Sequence, residues 1–250
     1  MRFFFAKGLE LVERALDKAK SPVRFWWRDD DAGAVSPALE RLLRLSHDHR
    51  APVSLAVIPM RVEPLLIEIM SGHRDVDVLV HGYAHRNHAA DGQPKCEFPH
   101  SRPLEEIRNE LSGALSRLRE AFPQNAIPVF VPPWNRLPPE LAPILKECGY
   151  VGFSTASTLA PASVARADGL RQSDGHFSVV AWKSGPQLAD VEPLEKRLAK
   201  QIRAGSKGPF CIVTHHRDHN EDVWKYCEQL WTLLGNHRNA EIVPAREIFC

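Results

Sequence analysis

The sequence predicts an α/β fold: a single-domain (β/α) barrel of about seven parallel strands. Short apolar runs alternate with amphipathic segments seven or eight times along the chain, the pattern of a parallel, right-handed sheet. The breaks between them are brief Pro/Gly punctuation, with no low-complexity linker and no internal repeat. The 250 residues, 44% of them apolar, can bury one full-sized core. The polar residues with chemical potential sit where the apolar runs end, and in a barrel those carboxyl ends share the rim on which active sites are built.

In chain order, Leu9, Val12, Leu16 and Ala19 mark an amphipathic N-terminal helix, and residues 1–22 are set apart from a barrel domain at 23–250. Residues 23–31 read as an aromatic strand running into Asp29, Asp30 and Asp31. Ser36-Pro37 opens a helix, with a capping hydroxyl followed by proline at the first helical position. A strand at 52–59 and a helix at 62–70 follow. Residues 75–80 alternate valine with other residues and stop at His81-Gly82, the end of a buried strand. Residues 86–102 form a polar loop long enough to wall a site. The longest helix spans 103–122, with Leu104, Ile107, Leu111, Leu115 and Leu118 on one stripe. A strand at 127–134 ends in Pro132-Pro133, and a helix at 138–148 is stopped by Gly149. Short strands at 150–154 and 177–182, a helix at 191–204, a strand at 209–216, a helix at 222–234 and a strand at 240–243 complete the chain.

Composition narrows the function classes. A formal charge of +1 gives no pull toward nucleic acid or an anionic membrane, and no basic stripe or recognition motif is visible. No run approaches the ~18 apolar residues of a membrane span. The apolar stretch at Phe3–Ala6 is too short for a secretory signal, which needs roughly 7–15 apolar residues. Five cysteines without a C-x-x-C pair or regular spacing point to a reducing compartment. The expectation is a cytoplasmic protein.

His81 and His85 are separated by three residues and can face one side if the chain makes a helical turn there. Neutral imidazole is the commonest transition-metal ligand. Gly82 stands where a zinc protease of the H-E-x-x-H type carries its glutamate, which excludes that class. Adjacent Asp30 and Asp31 point different ways at a strand end, so one can bind a metal while the other serves as a base. Two imidazoles and one carboxylate leave a position open for water, as catalytic zinc requires. Asp29 alone reads as a solvated strand-end carboxylate. His47-Asp-His49 lies on the polar end of a helix. His216-Arg-Asp218 mimics a kinase catalytic loop without the rest of that machinery. His73, His100, His176 and His237 read as surface residues. Trp26 reads as core, Trp27 and Trp182 as core or stacking surface, and Trp134 as pocket.

The order Arg28-Asp-Asp-Asp-Ala-Gly33, His81-Gly-Tyr-Ala-His85, Val131-Pro-Pro-Trp-Asn135 and Thr214-His-His216 resembles the polysaccharide deacetylase family, that is, carbohydrate esterase family 4 with the NodB homology domain. The resemblance covers residues 23–250. It implies a distorted (β/α) barrel and a bound Zn2+ or other divalent transition metal. Asp31, His81 and His85 would be its ligands, Asp30 the catalytic base, and His215, or its neighbour His216, the general acid. The implied reaction is hydrolysis of a non-peptide amide, N-deacetylation of an acetylated amino sugar or related small amide. Trp134, Asn135 and His88 are the substrate-binding candidates. The alternatives are a silent carbohydrate-binding barrel and a hydrolase of a different amide, such as a cyclic imide or formyl group.

Two features depart from the family. Val131 stands where the third motif usually carries the arginine that orients the base; Arg136 or Arg28 would have to replace it. The glycine after the paired aspartates is displaced to Gly33, which predicts a turn one residue longer.

Overall fold

The computed structural model describes residues 9–156 and 169–250. The elements run α1 (Leu9–Asp17), β1 (Val23–Ala32), α2 (Pro37–Asp48), β2 (Val53–Val57), α3 (Pro64–Met70), β3 (Asp77–His81), α4 (Leu104–Ala121), β4 (Ala126–Val131), α5 (Leu141–Glu147), β5 (Gly152–Phe153), β6 (Arg171–Gln172), β7 (Gly175–Ser178), β8 (Val180–Ala181), β9 (Gln187–Leu188), α6 (Glu192–Arg203), β10 (Phe210–Thr214), α7 (Glu221–Asn236), β11 (Ala240–Ile242) and α8 (Arg246–Phe249). All pairings of the main sheet are parallel, in the order β6-β5-β4-β3-β2-β1-β10-β7, with β11 alongside the start of β1. The sheet curls until its ends meet: Ala156, just past β5, bridges Gly175 at the start of β7, and the Gly175 N–H donates to Thr155 O at 2.7 Å. This is the distorted barrel predicted from the alternation of elements.

Side chains alternate between two cores, as the period of two in a strand requires. Outward-facing Phe25, Trp27, Val53, Leu55, Val78, Val80 and Ile212 pack beneath the helices. Inward-facing Trp26, Ala56, Leu79, Val129, Val131, Cys211 and Val213 fill the barrel. Phe249 of α8 closes the barrel's amino end, edge-on to Trp26 at 5.6 Å. A Cβ at Gly152 would lie 2.5 Å from the Phe249 ring, so only glycine lets this plug seat. The amino end is therefore closed, and the barrel interior opens at its carboxyl end.

The helix signals hold locally. Ser36 Oγ accepts from Leu39 N at 3.1 Å, and Pro37 opens α2. α1 buries Leu9, Val12 and Leu16 in the same core as the barrel helices, with Ala19 half-buried just beyond its end. The first eight residues, and with them the apolar stretch at Phe3–Ala6, lie outside the described residues.

Three expectations need correction. Leu104 does not join the α4 stripe: at the first turn it is 55% exposed, and Ala114 completes the buried face instead. The segment 177–182 is not one strand. β7 ends at Ser178, and β8 leaves the barrel to form an antiparallel hairpin with β9. The irregular stretch before it contains β6, whose polar Arg171-Gln172 carries no apolar signal.

Trp27 stacks on Trp231 of α7, with centroids 4.4 Å apart, and its indole N–H donates to Thr214 Oγ1 at 2.7 Å. Trp27→Ala removes a fully buried side chain that joins β1, β10 and α7, and it should lower unfolding stability by about 3–5 kcal/mol in a denaturant titration.

Candidate active site

Strand parity decides which face each polar residue takes. On β1, Arg28 and Asp30 follow Trp26 into the barrel, whereas Asp29 follows Trp27 outward. Asp31 would by alternation accompany Asp29. Instead β1 shifts register between Asp29 and Ala32, and Asp31 adopts φ 70°, which swings its carboxylate into the cavity. The strand continues to Ala32 across this bulge, so the predicted longer turn is an irregularity within the strand.

Arg28 is fully buried. Its Nη2 donates to Asp30 Oδ2 at 3.0 Å, and its Nε lies 2.9 Å from Asp30 Oδ1. The same guanidinium donates to Asn135 Oδ1 at 2.6 Å and, through Nη1, to Ser154 Oγ at 2.6 Å. Arg28 thus holds Asp30 from two positions away on one strand. Arg136 takes no part in this clamp; it is exposed, with Nη1 donating to Lys95 O at 3.1 Å.

His81 ends β3, and its Nδ1 donates to Val131 O at 3.0 Å. A carbonyl can only accept, so Nδ1 carries a proton and Nε2 is the ring atom that faces inward. His85 reaches the same point without a helical turn. Gly82 at φ +62° and His85 at φ 57° reverse the chain into a tight bend, correcting the helical reading. Glu97, from the 86–102 loop, holds this bend. It is buried, Oε1 accepting from Ala84 N at 2.8 Å and Arg86 N at 3.2 Å, and Oε2 from Tyr83 N at 3.1 Å. A Cβ at Gly82 would lie 2.0 Å from Glu97 Oε2, so glycine is required by space as well as by φ. Sequence reasoning missed Glu97; a lone glutamate in a polar loop gave no signal.

Asp31 Oδ1 lies 3.2 Å from His81 Nε2 and 3.1 Å from His85 Nε2. A tetrahedral zinc site with bonds of about 2.0–2.1 Å separates its ligand atoms by about 3.3 Å. Asp31 Oδ1 is buried, with the Nε2 atoms of His81 and His85 as its polar neighbours. The carboxylate and the imidazoles are coupled electrostatically. Burial raises the Asp31 pKa, but the two imidazoles more than offset this and hold it well below the carboxylate range. Burial likewise lowers His81, while Asp31 and Asp30 bring it above its ordinary value. The three residues fit a divalent transition metal, and among the described residues they form the only cluster with metal-ligand geometry.

His215 and His216 separate by the same parity rule. His215 follows Val213 inward, its Nε2 3.8 Å from Asp30 Oδ2 and its ring edge-on to the half-exposed Trp182 at 4.6 Å. His216 turns outward and is buried, its Nδ1 2.5 Å from Asp29 Oδ1; Asp29 Oδ2 accepts from Thr214 Oγ1 at 2.5 Å and His216 N at 3.0 Å. Asp29 is therefore no solvated strand-end carboxylate. Burial raises its pKa, but His216 and Thr214 hold it below the ordinary value.

Asp30, Asp31, His81, His85, Trp134, Asn135 and His215 line one cavity of about 500 Å³, together with Arg28, Arg136, Lys95 and Trp182. Residues from positions 28 to 215 converge at the carboxyl end of the barrel. Trp134, at φ 56°, packs its ring 4.5 Å from His85. Asn135 acts on Arg28 as well as lining the space. His88 does not line the cavity: it is exposed, its backbone N–H bonded to Cys96 O at 2.9 Å. His176, read as a surface residue, is half-buried and accepts from Cys211 N at 3.2 Å.

No family model matches the chain, and no curated protein matches its sequence. Solved structures do match its fold. A protein assigned as a polysaccharide deacetylase from Mycobacterium smegmatis is 14% identical, with a TM-score of 0.64 over 92% of this chain and 93% of that one. Puue allantoinase is 12% identical, with a TM-score of 0.62 over 92% and 89%. A family 4 acetyl xylan esterase from Clostridium thermocellum, in complex with a cobalt ion, is 14% identical, with a TM-score of 0.54 over 90% of each chain. The chain has the fold of the polysaccharide deacetylases and family 4 carbohydrate esterases.

Glu97→Gln would turn an amide N–H₂ toward backbone donors and loosen the bend carrying His85. Zinc affinity, measured by chelator competition, should fall about 10- to 100-fold, with the fold retained by circular dichroism.

Proposed function

We propose that the protein is a metal-dependent hydrolase of non-peptide amides, and specifically an N-deacetylase of an acetylated amino sugar or related small amide. The observation that carries this reading is a carboxylate clamped by a buried arginine, a convergent Asp31/His81/His85 cluster and an inward-facing histidine, all on one cavity. The fold it shares with deacetylases supports amide hydrolysis as the reaction class. A cytoplasmic setting goes with this reading, on the five unpaired cysteines.

In this mechanism Asp31, His81 and His85 would hold a divalent ion, zinc by ligand type, which when bound would supply Lewis acidity to a water and to the substrate carbonyl. Asp30 accepts the proton of the attacking water. Arg28 keeps both Asp30 oxygens aimed and Asn135 and Ser154 keep Arg28 in place, so the base has no freedom to turn away. His215 stands 3.8 Å from Asp30 on the cavity wall and delivers a proton to the departing nitrogen. Arg28 fills the orienting role in place of the arginine missing at Val131. Val131 contributes its carbonyl to His81 instead. Trp134 and Trp182 offer faces for a sugar ring.

A second reading, hydrolysis of a different amide such as a cyclic imide on the same residues, is favoured by the allantoinase among the structural neighbours. A substrate panel separates the two.

Zinc-reconstituted protein should release acetate from N-acetylated sugars, and Asp30→Asn should slow release by about 10²–10⁴-fold while zinc remains bound by metal analysis. Release from a cyclic imide and none from acetylated sugars would select the second reading. Failure of the wild-type protein to bind zinc would overturn both.

A further inference from the structure

The cavity's charges do not balance at its rim. Among the described residues, its lining carries two carboxylates, Asp30 and Asp31, and both are committed within the site: Asp30 to Arg28, Asp31 to the two imidazoles. That leaves Lys95 and Arg136, both exposed and both lining the same cavity, with no ion pair among the described residues. The neighbouring carboxylates are engaged elsewhere. Glu97 is buried against three backbone N–H groups, and Glu140 pairs with His100. The whole chain carries only +1, so this excess of positive charge is local.

The segments that carry the two cations are joined. Arg136 Nη1 donates to the backbone oxygen of Lys95 at 3.1 Å, which ties the end of β4 to the 86–102 loop. Lys95 Nζ stands 5.9 Å from the centroid of Trp134, within cation–π range, and the same indole packs 4.5 Å from the ring of His85. The ammonium is thus one indole away from a metal-ligating residue. A ligand anion at the rim of this cavity gains from the attraction of both charges.

We infer that the cavity selects N-acyl substrates bearing a negative charge, a carboxylate or a phosphate, on the part of the molecule that points to the rim, where Lys95 and Arg136 receive it. The inference rests on the amide-hydrolase reading for the acyl end of the substrate; the rim assignment rests on its own geometry. Lys95 and Arg136 act as specificity determinants, with Trp134 carrying the sugar or acyl body between them and the catalytic groups.

The test uses zinc-loaded protein with N-acetylglucosamine, N-acetylglucosamine 6-phosphate and N-acetylmuramic acid. Dissociation constants come from calorimetry, with acetate release followed on the same panel. Both anionic compounds should bind at least about fivefold tighter than the neutral sugar. The preference should shrink as salt is raised and should largely disappear in Lys95→Gln combined with Arg136→Gln. The single Lys95→Gln variant, on an exposed side chain, should lose part of it. Equal binding of neutral and anionic compounds overturns the inference. So does a preference that survives the double substitution, which places the anion on the metal instead. Anion preference without acetate release from any compound refutes the N-deacetylase reading and leaves the rim assignment standing. Release without charge preference does the reverse.

Discussion

A guanidinium and a carboxylate two residues apart on one strand, both inside a barrel, constrain nearly everything else at this site. Burying such a pair is costly: the ions lose hydration that their mutual attraction repays only when the remaining donors and acceptors are satisfied. Here the fold gives both Nη groups hydrogen-bond partners, while Nε and Asp30 Oδ1 meet only as an ion pair at 2.9 Å. Arg28 spans from Asp30 to Asn135, after β4, and to Ser154, after β5, so one side chain ties three parts of the barrel. The left-handed conformations of Trp134 and Asn135 follow from this geometry, because Asn135 must turn back for its amide oxygen to meet Nη2. A buried ion pair is weak evidence for stability, but this one fixes the orientation of the Asp30 carboxylate on the cavity wall.

The second constraint is the pairing of an inner and an outer cluster across the same strands. Asp30 and His215 face the cavity, while Asp29 and His216, one residue along on each strand, face the helices. The outer pair, with Thr214 and Trp27, fixes the end of β10 against β1, and the backbone of His215 lies between two residues held in this way. The loop after β3 shows the same division of labour: Glu97 shapes the bend, and His81 and His85 turn their Nε2 atoms to Asp31.

Much of the fold was legible because its signals are local. Ser36-Pro37 caps a helix wherever it occurs, and the apolar runs at 53–57, 77–81 and 210–214 have no competing period. The site was legible as a set of residues, since Asp30, Asp31, His81, His85 and His215 all sit at strand ends. It was not legible in its supports. The sequence placed Arg136 ahead of Arg28 and the structure reverses that order, because the choice depends on which one points into the barrel. Glu97 gave no pattern at all, since its partners are backbone amides. His88, close in sequence to the metal-site histidines, falls outside the cavity because Asn87 and Cys96 fold the loop back on itself.

The order of residues along the chain was enough to set the alternating α/β architecture, the carboxyl-end location of the polar residues, and Asp31, His81 and His85 as candidate metal ligands. Which member of each adjacent pair faces the cavity was settled only in three dimensions. In a parallel barrel both faces of a strand are apolar, so hydrophobic alternation, which would announce parity in a half-exposed strand, is silent. Only the registers of β1 against β2 and β10, with the bulge at Asp31, assign Asp30 and His215 inward and Asp29 and His216 outward.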